Sequence, residues 1–363
     1  MRFCKEQPCI MNSTYVTGVS LFNCLGATVD DVMRRLYLNT GQESNLSIGT
    51  EFDSMFEILT RKALRDAGLS IEEINNCKSL VIACTSAGNV FENAHNSTYL
   101  VDDYTRDFFA GPLQADYLHV SAACTSSAEA IALGCDFIQS AHYDLVICFG
   151  VDIVDRYRIA GHNALGTIAA SRCRPFSRQS NGTLFKDGAA CVVLESACRV
   201  RARGVRSLCE IIGYASMTDN THFTAPDTNA KGAIGVMQKS IYRSGVDKDD
   251  ISYVNAHGTG TRKNDEMEVK AMNAVFSGKK PLFSSTKAAH GHMLGATAMT
   301  EIIVCIYAQQ NRLAPPTYGV SNEADLYEGP NYVIEHPRPF EHGKAVMSLA
   351  FGFGGTCNAI LLR

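Results

Sequence analysis

VSAACTSSAEAIALGCDFIQSAHYDL (residues 120–145) leaves an apolar run, crosses a polar turn and enters a helix rich in small residues. SSTKAAHGHMLGATAMTEIIVCIYAQ (284–309) makes the same passage about half a chain later. A unit that recurs at that distance implies two similar halves, and the flanking sequence extends the correspondence. MFEILTRKALRDAGL (55–69) and AIGVMQKSIYRSGV (233–246) carry apolar residues at helical spacing and stop at Gly68 and Gly245. Each is followed by an acidic segment, IEEI or DKDDI, and then by a strand. SLVIAC (79–84), DLVICFG (144–150), ACVVLES (190–196), AVMSLAF (345–351) and AILLR (359–363) are the clearest strands. Their Val, Ile and Leu density predicts burial on both faces. Strands alternating with amphipathic helices predict a layered α/β fold, with its halves at residues 12–200 and 201–363. LGTIAASRCRPFSRQSNGTLFKDG (165–188) follows neither period and reads as a long loop of the kind that carries function.

Composition narrows the possible functions. The 363 residues are 46% hydrophobic and 19% charged, enough apolar material for a large core. A net charge of −4 and a pI near 6.2 offer no concentrated basic face, so nucleic acid is not an expected partner. The 14 cysteines include no C-x-x-C pair and no Cys/His cluster at zinc spacing. No metal is expected, and a reducing cytoplasm suits the thiols better than a disulfide scaffold. The start, MRFCKEQPCIMNSTYVTGVS, lacks the apolar core of a signal peptide, and no segment supplies the roughly 18 apolar residues of a membrane span. The sequons at Asn12, Asn45, Asn96 and Asn181 then read as chance matches.

Cys124 falls between the strand Tyr117–Val120 and the helix after Thr125. The unpaired N–H groups and dipole of a helix start favour a thiolate there, and the thiolate is the nucleophile. Alone, such a cysteine is as readily a small buried hydrophobe. VNAHGTGTRKNDEMEVKAM (254–272) sets His257 after an apolar strand, and SSTKAAHGHMLGA (284–296) sets Lys287, His290 and His292 in the turn that mirrors that of Cys124. FGFGGTCNAILL (351–362) has closely spaced glycines that let backbone approach a ligand. Taken singly, His257 could bond a strand-end carbonyl, Lys287 could be a solvated charge and FGFGG a bend.

Four motifs in one order decide otherwise: SAACTSSAEAI, NAHGTGTRKNDEMEV, STKAAHGHMLGA and FGFGGT. From YVTGVSLFNCLG (15–26) to the C-terminus the chain resembles the β-ketoacyl acyl-carrier-protein synthases of the thiolase superfamily. The resemblance implies a five-layered α/β/α/β/α fold of two pseudo-repeated βαβαβ halves. It implies Cys124 as nucleophile, His257 and His292 as the two active-site histidines, and Lys287 as the lysine five residues before the second. Asp265 and Glu268 match an acidic pair, Glu268 being structural or a partner of Lys287. Thr259 and Thr261 match threonines that bond the pantetheine arm. Phe353 matches a gating phenylalanine whose backbone N–H joins that of Cys124 in the oxyanion hole.

The implied activity is an acyltransferase reaction: decarboxylative Claisen condensation of a Cys-bound acyl chain with malonyl carrier protein, in fatty-acid or polyketide (including aryl-polyene) biosynthesis. No cofactor is permanently bound; substrates ride on the phosphopantetheine of acyl carrier protein. The implied assembly is a homodimer, or a heterodimer with a chain-length-factor-like subunit. Two alternatives share the fold. A non-condensing chain-length factor typically lacks the cysteine kept here as Cys124, and a coenzyme A-dependent thiolase uses a second cysteine in a C-x-G context that Cys357 lacks. Several departures suggest a divergent branch: a short segment before Cys124, Ser177 where aspartate is usual, His290 for a smaller residue, and Cys357 for asparagine. An acidic carrier needs a local basic patch, for which Arg34 with Arg35, Arg61 with Lys62 and Arg65, and Arg201 with Arg203 and Arg206 are candidates.

Overall fold

The apolar runs form strands close to where the sequence puts them. In chain order these are β1 (Thr14–Asn23), β2 (Ser79–Cys84), β3 (Asp116–Val120), β4 (Leu145–Asp152), β5 (Gly188–Ser196), β6 (Cys209–Thr218), β7 (Ile251–Asn255), β8 (Leu282–Ser284), β9 (Leu313–Ala314), β10 (Asn331–Tyr332), β11 (Arg338–Pro339), β12 (Ala345–Phe351) and β13 (Thr356–Leu362). The helices are α1 (Val29–Tyr37), α2 (Phe52–Asp66), α3 (Ile71–Asn75), α4 (Ser126–Gln139), α5 (Arg156–Ala164), α6 (Ala197–Arg203), α7 (Lys231–Ser244), α8 (Arg262–Val275), α9 (Lys287–His290) and α10 (Thr297–Asn311). The computed structural model describes residues 13–39, 52–87, 113–341 and 345–363. Cys4, Cys9 and the sequons at Asn12, Asn45 and Asn96 lie outside the described residues.

Eleven strands hydrogen-bond in the order β10-β8-β7-β12-β13-β6-β1-β5-β4-β2-β3. Reading outward from the β1–β6 seam, the first half runs β1, β5, β4, β2, β3 and the second runs β6, β13, β12, β7, β8, the same order with the two-residue β10 added at the edge. The ladders agree: β2 is parallel to β3 and β4, and β7 to β8 and β12, while β5 and β13 run antiparallel to their neighbours. The repeat visible in sequence is therefore a repeat of topology.

Alternation along each strand sorts side chains into layers. On β5, Ala190, Val192 and Leu194 join a central core with Ile131 of α4 and Ile303 of α10. Ala189, Cys191 and Val193 of the same strand face Phe56, Leu59 and Ala63 of α2. On β12, Val346 and Ala350 enter the central core, whereas Met347 and Leu349 face Val236 of α7 and Met272 of α8. Helices α4 and α10 thus lie between the two sets of strands, with α2 outside one set and α7 and α8 outside the other. This is the expected five-layered arrangement, and burial on both faces explains the near-continuous apolar reading of β2, β4, β5 and β12.

The glycine stops are real in both halves: Gly68 (φ 63°) and Gly245 (φ 68°) take the left-handed backbone that ends a helix. The acidic segments after them are short helical turns. Ser70 caps α3 with a reciprocal bond from Glu73, and Asp247 caps Lys248–Asp250. Residues 165–187 form no helix or strand, as their lack of period predicts.

Candidate active site

Ala123 has φ 49°, which bends the chain sharply after β3 into a single 3-10 turn, Ala123–Thr125, that runs straight into α4. Cys124 is the middle residue of that turn and is 8% exposed. The Ser126 hydroxyl accepts the Ala122 N–H (2.8 Å), and the Thr125 hydroxyl meets that of Thr356 (2.8 Å), tying the turn to the start of β13. Burial pushes the Cys124 thiol up to about 12; Lys287 pulls it down, and Asp152 and Glu301 push it further up. The helix start alone had suggested a resting thiolate. Desolvation opposes that effect and favours the protonated thiol.

His257 follows β7 on a loop held by two buried carboxylates of α8. Glu268 accepts the N–H groups of His257 (2.8 Å) and Gly258 (2.6 Å), and Asp265 accepts those of Gly260 (3.2 Å) and, across the molecule, Phe176 (2.7 Å). Burial pushes Asp265 up to about 8 and Glu268 up to about 7, while these N–H donors favour the ionised forms. Of the two roles read for Glu268, the structural one describes its contacts. The direct ion partner of Lys287 is Glu301, with both side chains wholly buried. Sequence reading did not single out Glu301, although it is the lone charge in the apolar run TAMTEIIVCIYA, a pattern that demands a buried partner.

His292 accepts the Leu294 N–H at Nδ1 (3.2 Å), with the Thr297 hydroxyl 2.9 Å from the same nitrogen. Its proton is therefore on Nε2. The rings of His257 and His292 meet edge to face at 5.5 Å. Burial, and then the Lys287 charge, hold both well below the ordinary histidine range, so both are neutral. His290 points elsewhere: Nδ1 lies 2.7 Å from the Gly291 carbonyl and Nε2 3.0 Å from the Thr286 hydroxyl. Ser177 is buried and accepts the Gln179 N–H (3.1 Å).

A cavity of about 350 Å³ brings together Cys124, His257, His292, Thr259, Thr261 and Phe353. Lys287, Asp265 and Glu268 stand behind its wall. The Thr259 and Thr261 hydroxyls bond each other at 2.8 Å. In the FGFGG turn, the N–H groups of Gly352, Gly354 and Gly355 go to the carbonyls of Thr356, Phe223 and Gly352. Cys357 is buried at the cavity wall, its thiol 3.4 Å from the Gly355 carbonyl. His162 and Phe185, which sequence reading did not select, also line the cavity. Among the described residues no three His, Cys, Asp or Glu side chains are grouped to hold a metal, and no helix is long and apolar enough to cross a membrane.

The chain is similar to known proteins. Residues 51–199 match the N-terminal domain of β-ketoacyl synthases, and residues 208–321 the C-terminal domain. Nodulation protein E of Rhizobium meliloti is 32% identical over 329 residues, 84% of this chain and 80% of the relative. A 3-oxoacyl-(acyl-carrier-protein) synthase 2 of Mycobacterium bovis is 34% identical over 245 residues, 64% of this chain and 58% of that relative. The fold superimposes with a TM-score of 0.79 and 23% identity on a chain from the complex of the ketosynthase ApeO with its chain length factor ApeC from Xenorhabdus doucetiae, covering 99% of each. With both domain matches, the order of motifs and the thiolase-like fold in agreement, the chain belongs to the β-ketoacyl synthase family, a family of acyltransferase-type enzymes.

Proposed function

We propose that this protein is a condensing ketosynthase that joins a Cys124-bound acyl chain to malonyl carrier protein, with His257 and His292 as its two catalytic histidines. The observation that carries this reading is the convergence of the Cys124 thiol and the neutral imidazoles of His257 and His292 on one cavity. In the first step the Cys124 sulfur attacks the thioester carbonyl of the acyl carrier. The carrier sulfur leaves and takes up the proton the thiol gives up. The transient oxyanion is held by the backbone N–H groups of Cys124 and Phe353. That of Phe353 is the donor its turn has left over, since its neighbours' N–H groups are spent on carbonyls. One such donor contributes roughly 3 to 4 kcal/mol.

In the second step malonyl carrier loses CO₂, and the electron pair of the breaking bond becomes an enolate on the thioester oxygen. His292, protonated on Nε2, donates to that oxygen, and His257 is the second donor. Neutral imidazoles suit the task because they add no charge beside a wall that already buries the Lys287–Glu301 pair. The enolate carbon attacks the acyl carbonyl, the Cys124 thiolate leaves, and water returns its proton. We assign the mutually bonded Thr259–Thr261 pair on the cavity wall to the pantetheine amides. Division of labour follows the two halves: residues 12–200 supply the nucleophile, and residues 201–363 the histidines and lysine.

The substrates are carried on acyl carrier protein, in fatty-acid or polyketide biosynthesis. Arg203 turns inward to Glu195 and to the carbonyls of Ala67 and Gly68, while Arg34 pairs with Asp31 and Arg61 with Glu57, so the clusters at 34–35 and 61–65, with Arg201 and Arg206, are the candidates for docking the carrier. Retention of all three catalytic side chains favours a condensing subunit over a chain-length factor. Among the described residues strand β3 ends the sheet, with Tyr117–Val120 half-buried, an edge suited to pairing with a second subunit, identical or chain-length-factor-like.

Intact-mass analysis after exposure to acyl carrier proteins tests the reading. Wild type should gain one acyl mass that Cys124→Ala does not, and malonyl carrier should discharge it as a β-ketoacyl product. No acylation, even with a chain-length-factor-like subunit present, would overturn it.

A further inference from the structure

The cavity wall holds two imidazoles that the mechanism does not use, His162 and the exposed His222. His162, near the end of α5, stacks on Phe353 (ring centroids 5.6 Å apart, 29° between planes) and packs against Phe185 at 4.2 Å. Phe185 in turn stacks on His292 at 5.3 Å. A single ring thus separates His162 from a catalytic imidazole, and its other face touches the residue that gates the cavity.

His162 is half-buried in this column, and the protein pairs one of its two ring nitrogens. Nδ1 lies 2.9 Å from the Thr167 hydroxyl, and among the described residues no partner takes Nε2. The Thr167 hydroxyl also reaches the His162 carbonyl at 3.1 Å, so it can give its proton to either site and leave the ring as donor or acceptor at Nε2. Burial, with Arg158 adding to it, lowers the pKa of the ring and keeps it neutral. A hydrocarbon chain filling the cavity would strip water from Nε2 and give nothing back, whereas an oxygen would pair with it.

We propose that His162 is a specificity-determining residue that hydrogen-bonds a hydroxyl or keto oxygen on the acyl chain, so that the enzyme prefers oxygenated chains to saturated ones of equal length. This rests on the acyl-enzyme reading above. Sites built to bond an oxygen discriminate strongly against analogues lacking it, more so than apolar pockets discriminate by size.

The test measures Cys124 acylation rates by intact mass with carrier-bound chains of one length: saturated, or bearing a single hydroxyl or keto oxygen at successive positions. Wild type should favour at least one oxygenated chain about tenfold or more in kcat/KM. His162→Phe keeps an aromatic ring in the column and should bring that ratio to within about threefold of unity. His162→Gln keeps a polar atom without the ring and should retain a preference for the same chain, a rescue that a packing role would not produce. Equal rates for all chains in wild type, or an unchanged ratio in His162→Phe, would overturn the inference while leaving the acyl-enzyme intact. Absence of acylation by every chain would instead sink the function proposed above.

Discussion

The turn that carries Cys124 and the turn that follows His292 have one backbone and two uses for it. Ala123 (φ 49°) and Leu294 (φ 48°) each open a 3-10 turn, Ala123–Thr125 and Leu294–Ala296, and each turn runs into a buried helix of the central layer. Cys124 and Gly295 occupy the same place. The Gly295 N–H is consumed by Asp152 (2.7 Å), a buried carboxylate from the other half that also receives Thr85, Ser86 and Arg158. A side chain at Gly295 would collide with Asp152 and the Ser86 backbone. The Cys124 N–H is the one we assign to the substrate oxyanion. Duplication thus made two helix-start turns that can bind an anion. One is closed by a carboxylate and braces the His292 segment; the other opens on the cavity and works on substrate.

Three measurements would break or sharpen this comparison. The largest effect concerns the open turn. With its thiol pushed from 9.0 to about 12 by burial, Cys124 holds about a thousandfold less thiolate at neutral pH than an ordinary cysteine. Iodoacetamide alkylation followed by intact mass should therefore rise about tenfold per pH unit through pH 10 without a plateau. A plateau near pH 7 would mean that the helix end and Lys287 overcome burial. Next, Glu301→Gln strands the Lys287 ammonium in the core. Denaturant unfolding should show a loss of about 3 to 5 kcal/mol, far above that of a surface ion pair. Smallest, Gly295→Ala should cost about 1 to 3 kcal/mol because Asp152 and Ser86 must move. The same measurement on Cys124→Ala, which only removes a sulfur facing a cavity, should show about 1 kcal/mol or less.

Much of this architecture was legible. SLVIAC and AVMSLAF coincide with β2 and β12 because strands buried on both faces read as unbroken apolar runs, and the helix stops were marked by glycines. Cys124, His257 and His292 were found because their motifs stand at element ends, where chain direction is punctuated. His162 and Phe185 were not. They lie in or beside a stretch without period, and only tertiary contact brings them to the cavity. Asp152 ends a strand with nothing local to show that its partner is Gly295, 143 residues away. The burial that pushes the Cys124 thiol up was hidden for a related reason: a helix start can be seen in sequence, but depth of burial is set by tertiary packing.

The central claim is that the first half supplies the nucleophile and the second the enolate stabilisation, and release of labelled CO₂ from malonyl carrier protein tests it most directly. Cys124→Ala should still decarboxylate malonyl carrier while making no condensation product. His292→Ala should be acylated at Cys124 by acyl carrier yet release CO₂ about 10² to 10³ times more slowly, as for the loss of one oxyanion donor. If His292→Ala decarboxylates at the wild-type rate, or fails only at acylation, the assignment of the two steps to the two halves is wrong.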